Sequence, residues 1–75
     1  MTDTTTIEVP EDLIALELTR REQKADYEAQ PEHRRCRYAL YGTEQKLAAH
    51  PWLVARKADW RTARKALKQA ADAAL

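Results

Sequence analysis

"KLAAHPWLVARKADWRTARKAL", residues 46 to 67, decides whether this chain folds back on itself or runs on as a kinked rod. Pro51 interrupts a helix-favouring stretch and is itself followed by another. Proline suits the first helical position, where its missing N–H would have had no partner. A new helix is therefore expected to start at Pro51.

The same punctuation recurs upstream. Pro10 precedes Glu11 and Asp12, and Pro31 precedes Glu32, so acids sit where the helix dipole is positive. The expectation is an all-α chain of three helices marked by prolines at their starts, at about 10–29, 31–49 and 51–74, forming a small bundle or a kinked helical array. Residues 1–9 are expected to be a flexible N-terminal tail and residues 10–75 a single three-helix domain. The joints "EAQPEH" and "AAHPWL" leave a residue or two between helices and supply no glycine. An antiparallel reversal usually takes about two to five loop residues. The single glycine, Gly42, is an alternative break, which would give a short second helix and a long kinked third.

Composition sets the scale of the interior. The chain has 75 residues, of which 14 are alanine and only 12 are leucine, isoleucine or valine; phenylalanine is absent. Alanine favours helix but buries little area, so the core is thin. Disorder is not expected, because the net charge is only +1 and the apolar residues are periodic.

Turning each residue by about 100° exposes more than one apolar side per helix. On the first helix Ile14, Ala15, Leu18, Ala25 and Ala29 share one side, while Leu13, Leu16 and Tyr27 fall nearly opposite. On the second, Cys36, Leu40 and Leu47 form one stripe, and Tyr38 and Tyr41 look elsewhere beside Arg34. On the third the main stripe is Leu53, Trp60, Ala63, Leu67, Ala70 and Ala74, with a minor one of Val54 and Ala58. Trp60 is thus expected on the packed side, in the core or at a seam between chains. A helix with two neighbours needs a wide apolar arc, which is the plain explanation for the second sides. The functional one is that they bury against another protein or a second copy of the chain. On that reading the contact residues are Leu13, Leu16, Tyr27, Tyr38 and Tyr41, joined by Trp52, Arg61 and Arg64 from the cationic helix.

Charge is unevenly divided. Residues 1–30 carry eight acids against three bases, a net of −5, and residues 31–75 carry ten bases against four acids, a net of +6. Packing of the acidic helix on the basic ones would neutralise both. Otherwise Arg34, Arg35, Arg37, Lys57, Arg61, Arg64, Lys65 and Lys68 make a basic face over the second and third helices, suited to an acidic protein or to the phosphates of DNA or RNA.

"TTTIEVPEDLIAL", residues 4–16, resembles the opening of ribbon-helix-helix repressors, in which a short strand meets an acidic helix start and pairs with its twin in the major groove. The resemblance implies Ile7 and Val9 facing inward and Thr6 and Glu8 outward. It covers less than a fifth of the chain, and the glycine turn and serine-capped second helix of that family are absent, so no membership is taken from it. A helix-turn-helix would place Gly42 in the turn, but Tyr38 then stands where a small residue normally packs.

Catalytic chemistry finds little material. The chain has no serine and one glycine, which excludes a serine nucleophile and a phosphate-cradling glycine loop. His33 and Cys36 are three apart on one helical side and His50 is the only other histidine, a poor basis for a zinc site. Cys36 is expected to be a small packed residue and His50 to occupy a helix junction. The chain is therefore expected to be no enzyme, with no cofactor, metal or small-molecule substrate. Its role would be that of a regulator or accessory subunit working through contacts with another protein or with itself as a homodimer, with DNA or RNA as the alternative partner. One cysteine, no membrane span and no secretory signal fit a cytoplasmic location without membrane contact.

Overall fold

The computed structural model describes residues 8–75, which are all-α. Helix α1 spans Glu11–Ala29, α2 Arg34–Ala49, α3 Pro51–Ala55 and α4 Trp60–Ala74, with a 3-10 turn over Lys57–Asp59 between the last two. The expected tail lies outside the described residues as far as residue 7; within them Glu8 is exposed and Val9 packs against the core. The strand implied by the repressor resemblance also falls largely outside them, and the described residues contain no strand.

Helix α1 begins where proline and charge place it. The Pro10 carbonyl accepts from the N–H groups of Leu13 and Ile14 at 3.1 Å, and Glu11 and Asp12 lie in the first turn at the positive end of the dipole. Pro51 is likewise the first residue of α3. Pro31 is not the start of a helix. It lies in a turn, and α2 opens three residues later at Arg34. The reason is geometric: Gln30–His33 supplies the four residues that an antiparallel reversal needs, and a helix beginning at Pro31 would leave only one.

The third expected helix is broken, though at neither proline nor glycine. Arg56 has φ −109° and ψ 26°, outside the α-helical basin, and the chain passes through a 3-10 turn before α4 resumes at Trp60. Gly42 sits inside α2 with ordinary negative φ. Continuity across Pro51 is also absent, because His50 is extended with ψ 132°.

Helix α1 is the shared partner in the packing. It lies against α2 along the hairpin and against α4 on another side, while α2 and α4 make no extensive contact with each other. Asp12, near the start of α1, meets His50 at the end of α2, so this pair is antiparallel. Leu13 clusters with Ala63 and Leu67, and Arg21 reaches Lys68 and Asp72, so α1 and α4 run parallel. The core is short: Leu13, Leu47, Leu53, Ala63 and Leu67, flanked by Val9, Ile14, Leu16 and Trp52. No residue between Arg20 and Gly42 is buried, so the far end of the α1–α2 hairpin extends past the core and gives the molecule its 48 × 24 × 18 Å shape.

Apart from Ile14, which packs against the core, the two sides of α1 are inverted relative to expectation. Leu13 is fully buried and Leu16 packs against the core, while Ala15, Ala25 and Ala29 are exposed and Leu18 is half-buried. Leu13 is thus a core residue with no surface to offer a partner, and Leu16 and Tyr27 are half-buried on the same packed side. The physical reason is volume: two leucines and a tyrosine fill the space against α2 and α4 better than a row of alanines. Trp60 is corrected in the opposite direction. It is 54% exposed, because as the first residue of α4 it stands beyond the stretch that α1 covers.

Candidate functional site

The groove at the α3–α4 corner

His50 builds the corner from which this surface follows. Its Nδ1 accepts the Trp52 N–H at 3.1 Å, capping α3, and its Nε2 lies 2.9 Å from Asp12 Oδ2 on α1. With Nδ1 accepting, Nε2–H is placed to donate to the carboxylate, and that hydrogen bond holds the Asp12 carboxyl below its ordinary pKa. Trp52 is the anchor of the same corner. It packs on the core while the Arg56 guanidinium lies 4.2 Å from its ring centroid and donates to its carbonyl at 3.1 Å.

With the chain turned there, Ala48 from the end of α2, Leu53 and Val54 from α3, Lys57 from the 3-10 turn, and Trp60 and Arg64 from α4 line an open groove of about 330 Å³. Its floor is Leu53 and its walls are the exposed Val54 and Trp60. Lys57 and Arg64 contribute the charge, and the Arg61 guanidinium lies 5.9 Å from the Trp60 ring. The surface is apolar inside and cationic at its border.

The cleft between α1 and α4

A second concavity of about 400 Å³ is lined by Glu17, Arg20, Arg21, Arg64, Lys65, Leu67, Lys68 and Asp72. Glu17 is only 5% exposed and has both carboxylate oxygens engaged. Arg20 donates Nε and Nη2 to them at 2.9 Å each, and Arg21 adds Nε at 3.1 Å. Arg20 first, then Arg21, hold the Glu17 carboxyl below its usual pKa against the opposing effect of burial. Arg21 also reaches Asp72 at 2.8 Å and the Lys68 carbonyl at 3.3 Å, tying α1 to α4.

Charge neutralisation between α1 and the basic helix is therefore slight, and it runs in the reverse sense. The α1 arginines are satisfied by an acid of their own helix and by Asp72 of α4. Lys57, Arg61, Arg64, Lys65 and Lys68 are exposed and take part in no ion pair among the described residues.

Placement of the expected residues

Trp60, Arg64, Lys57 and Arg61 come together at the groove, and Arg64, Lys65 and Lys68 continue from it along the cleft. Arg34, Arg35 and Arg37 do not join them. They are exposed at the start of α2, at the far end of the hairpin, so the single basic face expected over both helices is two separate regions. Tyr38 and Tyr41, 61% and 59% exposed, lie on that hairpin away from the groove. His33 is exposed, Cys36 is half-buried, and His50 has both ring nitrogens engaged.

Sequence reading missed Ala48 as a groove residue and Glu17 as a buried ion. The spacing of Glu17, Arg20 and Arg21 at i, i+3 and i+4 was the available signal for the second. For Ala48 there was none, because its role depends on where the chain turns. No described helix is long and apolar enough to cross a membrane. Comparison with known proteins finds no matching family model, no matching curated protein and no matching solved structure.

Proposed function

We propose that this chain is a non-catalytic helical docking module that binds protein through the α3–α4 groove. The observation that carries the reading is Trp60: a tryptophan 54% exposed beside Val54, over an apolar floor, with the exposed Lys57 and Arg64 at the border. Tryptophan and arginine are the side chains that most often dominate protein interfaces, and an apolar floor with a charged rim is the usual interface anatomy. The occupant that matches is an amphipathic helix whose apolar side is flanked by acids. The regulator or accessory role belongs to this reading, as does the absence of catalysis, which the lack of serine and the engagement of His50 support. The test is a titration of the full chain with a designed peptide helix of leucines flanked by glutamates, followed by NMR. Shifts centred on Val54, Trp60 and Arg64 are expected; unchanged signals there overturn the reading.

A second reading rests on the five cations of the turn and α4 that take part in no ion pair among the described residues. Such a stripe draws phosphates, and DNA or RNA would bind it with an affinity that falls steeply with salt. If four phosphates are engaged, the logarithm of affinity falls with a slope of about −4 against the logarithm of salt. An Arg61, Arg64, Lys65 triple alanine variant removes that binding, and failure of any nucleic acid to bind at low salt removes the reading.

A further inference from the structure

We infer that the occupant of the Trp60 groove is the outer side of α1 from a second copy of this chain. This rests on the docking reading above and adds the identity of the partner. The packed side of α1 carries Leu13, Leu16, Glu17 and Tyr27, with Ile14 at its border also against the core, which leaves the opposite side free. Down that free side run Glu11, Ala15, Leu18, Glu22, Ala25, Asp26 and Ala29. Leu18 is half-buried, and the rest are exposed. Three acids and no base accompany four apolar residues, and among the described residues none of the three acids is in an ion pair.

That is the chemistry the groove asks for. An apolar stripe of small residues lets a helix approach closely enough for Leu18 to enter beside Trp60 and Val54, while Glu11, Glu22 and Asp26 meet Lys57, Arg61 and Arg64. The contact joins acids of the first half, Glu11, Glu22 and Asp26, to bases of the second, Lys57, Arg61 and Arg64, none of which takes part in an ion pair among the described residues. A two-fold pair forms the contact twice, since each copy presents both an acidic helix side and a basic groove. Opposed potentials of this kind fix the partner and speed the encounter.

The test is sedimentation equilibrium of the full chain and of two charge-reversed variants, Glu22→Lys with Asp26→Lys, and Lys57→Glu with Arg64→Glu. All four positions are exposed, so circular dichroism should show unchanged helix content. The unaltered chain is expected to dimerise reversibly, and about tenfold more weakly when salt is raised from about 0.05 M to about 0.5 M. Each variant alone is expected to sediment as a monomer, because like charges then face each other in both contacts. Mixed in equal amounts they are expected to pair, because both contacts again join opposite charges. Adding Trp60→Ala to both should abolish the mixed pair, which separates docking in the groove from attraction between oppositely charged chains. A chain that stays monomeric at low salt overturns the inference, as does a dimer that survives undiminished in either variant. The peptide titration then tells the two readings apart: shifts at Trp60 leave a docking groove for a foreign helix, and unchanged signals remove both.

Discussion

Arg21 of α1 and Asp72 of α4 meet at 2.8 Å across 51 positions of sequence, and this is the salt bridge that joins the first helix to the last. Its weight lies in what Arg21 does besides, holding Glu17 and the Lys68 carbonyl. An exposed pair by itself contributes about 0.2–1 kcal/mol. A double-mutant cycle of Arg21→Ala and Asp72→Ala, measured by urea unfolding, should therefore give a coupling below about 1 kcal/mol. Arg21→Ala alone should cost more than Asp72→Ala alone, because it removes the further hydrogen bonds.

Glu17 predicts an acid limit. Its folded pKa is depressed, so the stability it contributes is fully present above the unfolded value near 4.5 and is lost as pH falls through the lower folded value. Thermal unfolding of Glu17→Gln should show a smaller loss of stability between pH 5 and pH 3 than the unaltered chain. At neutral pH the substitution should cost about 2 kcal/mol, the scale of hydrogen bonds to a charged group.

Leu13 and Trp60 should respond in opposite ways to truncation. Leu13→Ala empties a fully buried site and should cost about 3 kcal/mol, enough to unfold much of so small a domain. Trp60→Ala should change stability by no more than about 0.5 kcal/mol while abolishing docking. Helix content by circular dichroism separates the two, and a large loss for Trp60→Ala would mean the ring is packed.

Gly42→Ala should stabilise the chain. The glycine lies inside α2 with negative φ, and a Cβ added there meets nothing within 4 Å. Alanine gains about 0.5–1 kcal/mol over glycine in a helix interior, which for a domain of this size raises Tm by about 2–8 °C.

His50→Ala should unfasten the corner that shapes the groove. It removes the cap on the Trp52 N–H and the bond to Asp12, at a cost of about 1 kcal/mol for the cap. The groove should lose its occupant even where helix content persists. His50→Asn, whose side-chain oxygen can still cap, should restore part of the stability.

The sequence alone determined the all-α class, the start of α1 just after Pro10, the start of α3 at Pro51 and the division of charge, because these follow from local chemistry: a fixed φ, a missing donor, an acid in a first turn. It also gave the angular spacing of every apolar side. Tertiary structure decided which side faced inward. Periodicity relates side chains to one another around a helix but carries no reference to where neighbouring helices lie, so Leu18 and Ala25 could not be told from Leu13 and Leu16 until α2 and α4 were in place. The same holds for Trp60, in phase with Leu67 yet outside the core, because α1 covers the middle of α4 and not its first residue. The break at Arg56–Asp59 and the groove it creates have no proline or glycine to announce them; they exist because α4 must leave the end of α2 and turn back to lie along α1.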